Sequence, residues 1–308
     1  MREALKIFQH APARLRRIDA FHRMATVSMR TPSFDLHGPC QPESPVVLSV
    51  PHAGRDYPMA LRAAIRVPLE ALAPLEDRHV DALAHAARGD HTTIVQRLPR
   101  AWIDLNRAEH ERDPAIDSGA DRRRQSAPSL KLRSGLGLVP RRTPGAGDIW
   151  RGKLSSDEVV ARIECDHRPY HAALGDLLDA ARARFGIAIL LDIHSMPPLA
   201  SGARIVLGDR FGKSAGARFV YRLEAEARAH RIPCALNTPY AGGHILERHA
   251  RTQDNIHAVQ LEIDRTLYLD PRMDGPGPGF AGTAALLARM IAALADEAEG
   301  TPFATAAE

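Results

Sequence analysis

Two histidines stand where strands should end. His52 follows the aliphatic run Val46-Val-Leu-Ser-Val50 across a single proline, and His194 closes the still more apolar Ile187-Ala-Ile-Leu-Leu-Asp-Ile193. Such strands stabilise a core by burial, and a polar group at the last position is desolvated unless it finds a partner. A metal ion is one such partner. Two imidazoles and one carboxylate, with water in the fourth position, form the usual catalytic zinc shell. Asp192 lies two residues before His194 and hence on its side of the strand. The third ligand must come from elsewhere, and Glu76-Asp77, at a helix start, is the nearest carboxylate pair, with Asp77 favoured over Glu76. Read singly, each histidine is an ordinary hydrogen-bonded structural residue. Their shared place at strand ends turns the reading to a site for one divalent ion, zinc by its donors.

Alternation along His257-Ala-Val-Gln-Leu-Glu-Ile263 puts Gln260 and Glu262 on one face. A carboxylate at that strand end, beside a metal-bound water acting as nucleophile, can take its proton and pass it to a leaving amine. An ion pair with Arg265 is the competing account of Glu262. Asn106 and Arg107 follow the short run Ala101–Leu105 and offer an amide donor and a guanidinium fork that suits a substrate carboxylate. Gly242 and Gly243 permit a turn that would bring His244 or Arg248 to a substrate, or are plain turn glycines. His171 either reaches the site or packs internally. Ser195 lacks the flanking glycines of a nucleophile elbow, so a serine hydrolase is disfavoured.

These residues need a scaffold that gathers strand ends. Strands are expected at 46–50, 93–97, 101–105, 187–193, 204–207 and 257–263. Helices are expected over 77–87, over 155–185 with a break near Pro169, at 214–230 and at 282–297. Alternating helices and β-branched strands predict a layered α/β domain around a mostly parallel sheet, with ligands at the strand carboxyl ends. Residues 109–150 dissolve into charge, Pro, Gly and Ser and read as a long loop region of functional interest. Arg141 and Arg142 within it could grip a second carboxylate or be solvated. The domain plan is an extension over 1–44, one domain over 45–300 and a tail over 301–308.

Composition narrows the class. The 308 residues carry a formal charge of +4, but residues 1–30 hold seven basic side chains against Glu3 and Asp19, a net of +5, so the rest of the chain stands at −1. The basic start therefore reads as a dispensable or mis-assigned extension, with Met24 and Met29 as internal starts, rather than as a nucleic-acid surface. The rival binding protein would use that start and the 122–142 loop and bind nucleic acid salt-sensitively. No apolar run approaches membrane-helix length. Cys40, Cys165 and Cys234 suit neither a disulfide framework nor a thiolate zinc site, so a reducing, cytoplasmic setting is expected.

Seven short motifs then fall in order between Val46 and Asp270: Ser49-Val-Pro-His-Ala-Gly54, Asp77-Arg-His-Val-Asp81, Ile103-Asp-Leu-Asn-Arg107, Pro169-Tyr-His171, Leu191-Asp-Ile-His-Ser195, Pro239-Tyr-Ala-Gly-Gly243 and His257-Ala-Val-Gln-Leu-Glu262. In order and spacing they resemble the N-formylglutamate amidohydrolase family. The resemblance implies a zinc-exopeptidase-like fold, a three-layer αβα sandwich around a mostly parallel mixed sheet. It also implies hydrolysis of N-formyl-L-glutamate to formate and glutamate, with a place in histidine breakdown. By position, His52, Asp77 and His194 would hold the metal, Glu262 would be the general base, and Asn106 and Arg107 would meet the substrate. The His-x-x-Glu of zinc exopeptidases would need Glu at position 55, where this chain has Arg55, so Asp77 enters by inference. The expected partner is a small N-acyl amino acid, without nucleic acid or membrane; a homo-oligomer is allowed. A deacylase or amidase for a different acyl group on the same scaffold is the nearest rival.

Overall fold

A computed structural model of the chain describes residues 31–121 and 129–300. The basic start, Arg122 to Arg124 and the 301–308 tail lie outside the described residues.

The strands are β1 (Phe34–His37), β2 (Val46–Val50), β3 (Thr93–Gln96), β4 (Arg142–Thr143), β5 (Gly147–Asp148), β6 (Ala188–Met196), β7 (Ile205–Gly208), β8 (Cys234–Leu236) and β9 (Ile256–Asp264). The α-helices are α1 (Met59–Ala64), α2 (Val80–Ala87), α3 (Leu130–Arg133), α4 (Ser156–Arg162), α5 (Arg168–Phe185), α6 (Ala217–Ala229), α7 (His244–His249) and α8 (Phe280–Glu299). Seven strands form one sheet in the order β1-β3-β2-β6-β9-β7-β8, and β4-β5 is a separate small hairpin. The pairs β3–β2, β2–β6, β6–β9 and β7–β8 are parallel; β1–β3 and β9–β7 are antiparallel. This is the mixed, mostly parallel sheet the sequence called for.

Helices cover both faces. Strand alternation sends Val46, Leu48, Val50, Leu191, Ile193, Val259 and Leu261 to one face, where α2, α6 and α8 cover them through Leu83, Phe219, Leu223 and Leu287. Val47, Leu190 and Ala258 go to the other, against α5 through Leu174, Leu177 and Leu178 and against α7 through Ile245 and Leu246. Each fully buried aliphatic side chain stabilises by roughly 1.5–3 kcal/mol, which offsets the cost of polar groups placed at the strand ends. The helices have local reasons too: Ser155 and Glu158 form a reciprocal capping box on α4, and Gly186, with φ of 75°, ends α5.

Several expectations need correction. The sheet begins before residue 45, because β1 lies inside the stretch assigned to the extension and pairs with β3. Ala101–Leu105 is not a strand: β3 already has β1 and β2 on its two edges, so this segment buries Ala101, Ile103 and Leu105 without a ladder, and Asp104 N–H bonds the Leu138 carbonyl. Pro169 does not break a helix; it sits in the first turn of α5, and the irregularity precedes it as a π-helical turn over Ile163–His167. The 109–150 stretch contains α3 and the β4-β5 hairpin and buries Leu132, Leu138, Ile149 and Trp150. Arg141 and Arg142 are neither free for a ligand nor simply solvated, since Arg141 pairs with Asp113 and Asp148, and Arg142 with Asp148.

Candidate active site

At the carboxyl ends of β2, β6 and β9 the α5 face of the sheet changes from apolar to polar. Val47 gives way to Ser49, Leu190 to Asp192 and His194, and Ala258 to Gln260 and Glu262. Parallel register sets Ser49 beside Asp192, Asp192 beside Gln260 and His194 beside Glu262. Three adjacent parallel strands thus deliver their polar ends to one place.

His52, just past β2, and His194, on β6, meet with ring centroids 4.9 Å apart. Asp77 joins them: its backbone N–H donates to the His52 carbonyl at 3.0 Å, and its Oδ2 lies 3.1 Å from His194 Nδ1 and 3.6 Å from His52 Nδ1. All three residues are buried, and one ligand atom from each lies within 4.8 Å of the others. Glu76 points instead to the Tyr57 hydroxyl, which donates to it. Arg265 occupies the other side of Asp77, donating to Oδ1 at 3.3 Å and to the Glu76 carbonyl at 2.6 Å. That arrangement leaves Oδ2 for the imidazoles and removes Arg265 as the ion-pair partner of Glu262.

The outer nitrogens carry the proton. His52 Nε2 is 2.7 Å from Asp104 Oδ1, and His194 Nε2 is 2.7 Å from Asp192 Oδ2. With Nε2–H donated to a carboxylate, each ring directs Nδ1 inward, the carboxylate–histidine arrangement that orients metal ligands. His52 Nδ1 is buried without a hydrogen bond. Asp192 is fixed in turn by Ser49 Oγ at 2.7 Å, itself 3.0 Å from the Tyr170 hydroxyl.

The electrostatics favour positive charge at the centre. Burial opposes ionisation of Asp77, but the hydrogen bond from His194 and the adjacent His52 imidazole outweigh it and hold its carboxyl well below the usual carboxylate range. Burial likewise opposes protonation of His194, yet the Asp192 charge and hydrogen bond, with Asp77 behind them, raise it well above the ordinary histidine value. Such a setting attracts a proton or a cation in its place. The donor set, the orphaned Nδ1 and this field all fit a divalent ion.

Glu262 is buried on β9, one strand from His194. Burial pushes its carboxyl up to about 7, the His194 charge pulling the other way. Gln260, two residues earlier, donates Nε2–H to Glu262 Oε1 at 2.9 Å. The Gln260 carbonyl oxygen accepts from Asn106 Nδ2 and from the Gly243 N–H, each at 3.2 Å. Asn106 Oδ1 accepts the Ile245 N–H at 2.9 Å. Asn106 therefore stitches the Gly243 loop to the sheet, and a Cβ at position 243 would fall 2.4 Å from Asn106 Oδ1. Close approach, rather than positive φ, requires this glycine.

The cations divide. Arg107 is buried, donating Nε to the Leu136 carbonyl and Nη1 to that of Asn106, which leaves Nη2 without a hydrogen bond among the described residues. Arg248 is exposed on α7. His171 is 1% exposed, with its ring nitrogens on the Leu105 carbonyl and His249, so the structure gives it internal partners rather than a substrate-facing edge. His244 stands beside it, at a ring-centroid distance of 5.4 Å. Arg55, where a zinc exopeptidase would have glutamate, makes a two-pronged pair with Asp81.

Sequence reasoning missed three groups. Gln260 was placed on the right face and given no task. Arg100 binds Asp104 at 2.8 Å, four residues on, and its charge is felt at Glu262. Lys131, from the stretch read as loop, stands 5.7 Å from the Tyr240 ring centroid, and the Glu262 charge acts on both residues. Only the period-2 pattern around Gln260 was a usable signal in sequence.

Residues 44–269 match the family model described as N-formylglutamate amidohydrolase. The chain is 30% identical over 236 residues to the N-formylglutamate deformylase of Pseudomonas putida, covering 73% of this chain and 82% of the relative. A crystal structure of N-formylglutamate amidohydrolase from Ralstonia eutropha JMP134 superposes with a TM-score of 0.77 at 33% identity, over 87% of this chain and 98% of the other. A gene product of Agrobacterium tumefaciens shares the fold at 20% identity, with a TM-score of 0.61 over 87% of this chain and 95% of the other.

Proposed function

The chain belongs to the N-formylglutamate amidohydrolase family and is a hydrolase of linear amides, and from that premise we propose that it hydrolyses the formyl amide of N-formyl-L-glutamate to formate and L-glutamate, with a place in histidine degradation and a cytoplasmic setting. The observation that carries the reading is the convergence of His52 Nδ1, His194 Nδ1 and Asp77 Oδ2 next to Glu262.

His52, His194 and Asp77 would hold one divalent ion, zinc by donor type. When bound, such an ion polarises the amide carbonyl and makes water more acidic. Asp104 and Asp192 keep the two imidazoles in the ligating tautomer and orientation. Glu262 takes a proton from the attacking water and returns it to the departing amine nitrogen; its raised value keeps it near the point where both transfers are effective at neutral pH. Gln260 fixes the carboxylate that does this. Asn106 and Gly243 shape the adjoining wall, and His244 stands at its edge. Arg107 Nη2, Arg248 and Lys131 supply the positive charge a substrate with two carboxylates requires.

A panel of N-formyl, N-acetyl and N-succinyl derivatives of glutamate and of neutral amino acids tests the assignment. The proposal predicts the highest kcat/KM for N-formyl-L-glutamate. A preference for another acyl group would keep the scaffold and its hydrolytic chemistry and overturn the substrate.

A further inference from the structure

A second group of imidazoles lies at the junction of α5 and α7, behind the loop that carries Asn106 and Arg107. His167 ends the π-helical turn and His171 follows four residues later on the same helical face, while His244 opens α7. One ligand atom from each of the three lies within 4.8 Å of the others. Their ring centroids are 4.4, 5.4 and 6.0 Å apart, which brackets the separation of about 5 Å expected for imidazoles around a tetrahedral ion with metal–nitrogen bonds of about 2.0–2.1 Å.

Tautomers follow from the partners. His167 Nε2 lies 2.9 Å from the Arg107 carbonyl and His171 Nε2 3.0 Å from the Leu105 carbonyl. A carbonyl only accepts, so both rings carry their proton on Nε2 and present the lone pair of Nδ1. His167 is fully buried and its Nδ1 has no hydrogen bond. Both nitrogens of His244 are buried and equally without partners. His171 Nδ1 accepts from His249 Nε2 at 2.9 Å and would exchange that bond for an ion. Backbone carbonyls on the outer nitrogens are the support that ligating histidines receive. Burial, aided by the Arg248 charge, pushes His167, His171 and His244 below the ordinary value and keeps them in the neutral, ligating form. Arg248 also opposes a cation here, and Glu109, Glu111 and Glu247 oppose Arg248.

We infer that His167, His171 and His244 form a second metal site, distinct from the His52–Asp77–His194 centre, for a divalent transition ion of the zinc class. Three imidazoles suit zinc, copper or nickel rather than calcium or magnesium. Its role is structural: the ion ties α5 to the start of α7, and through the outer nitrogens of His167 and His171 it fixes the Leu105 and Arg107 carbonyls. The segment that presents Asn106 and Arg107 is thereby held at a set height above the sheet.

The test is metal stoichiometry, read by titrating chelator-stripped full-length protein with Co2+, following its visible absorption, and by zinc content after dialysis. The inference predicts two equivalents in the wild type, one in His194→Ala, one in His244→Ala and none in the double variant. Circular dichroism checks that each variant folds. Should His244→Ala unfold, the wild type and His194→Ala decide by themselves. One equivalent in the wild type that disappears in His194→Ala overturns the inference and leaves the first centre standing. One equivalent that survives His194→Ala upholds it and removes the first centre instead. No binding in the wild type removes both.

Discussion

Gln260 Nε2 donates to Glu262 Oε1 at 2.9 Å, along one face of β9, while its carbonyl oxygen holds Asn106 and the Gly243 backbone. A single amide therefore couples the buried Glu262 carboxylate to the loop over it. A Gln260→Glu change would set two carboxylates side by side and leave Asn106 and Gly243 with a different acceptor. Gln260→Leu would release all three groups.

Glu262→Gln should leave metal content intact and lower kcat by about a hundredfold or more, the usual contribution of a positioned acid–base group. The pH profile adds a sign. Glu262 must be ionised to act as the base, so kcat/KM falls as pH drops through its value, which burial raises to about 7; a bound cation opposes that rise, so the limb lies at or below about 7. Steady-state rates between pH 5 and 9 check this. Near-normal turnover in Glu262→Gln would remove the residue from its role.

Asp104→Asn and Asp192→Asn each replace the acceptor that fixes the imidazole of His52 or of His194. Metal affinity should weaken by roughly 10–100-fold in each, with activity recovering as free zinc is raised. Competition against a chromophoric chelator measures the shift. Unchanged affinity in both would mean that His52 and His194 do not ligate through Nδ1.

Gly243→Ala places a methyl group 2.4 Å from Asn106 Oδ1. The loop must move, so kcat/KM should fall at least tenfold while the unfolding midpoint falls only modestly. Asn106→Ala/Gly243→Ala should cost less than the sum of the single changes, because the clash disappears with the amide. Strict additivity would deny the contact.

Much of this site was readable from strand ends. His52, His194 and Glu262 each follow or close an apolar run, and the alternation along β9 by itself puts Gln260 on the face of Glu262. What could not be read were contacts made across the chain. Arg265, the competing partner that sequence offered Glu262 three residues away, instead holds Asp77, 188 residues distant in sequence. His171 lacks any local signal that separates packing from display, and its partner His249 lies 78 residues off. Ala101–Leu105 has the composition of a strand, but β3, the strand just before it, already has β1 and β2 on its two edges.

Burial pushes His249 to about 3 and His257 to about 4. The unfolded chain protonates these rings near the ordinary value of about 6.5, whereas the folded chain keeps them neutral. Unfolding therefore takes up protons, and stability that is full above about pH 6.5 is lost as pH falls toward the folded values. His257, packed on Phe219 at 4.8 Å, isolates one such group: His257→Phe should spare roughly 2 kcal/mol of the loss between pH 7 and 5. Urea unfolding at the two pH values measures it, and equal losses in both proteins would contradict the assignment.

Formate release from N-formyl-L-glutamate, followed before chelation, after it and after zinc is returned, tests the central claim most directly. The account predicts release that chelation abolishes and zinc restores, with His194→Ala inactive throughout. Release that proceeds unchanged in chelated protein would contradict it.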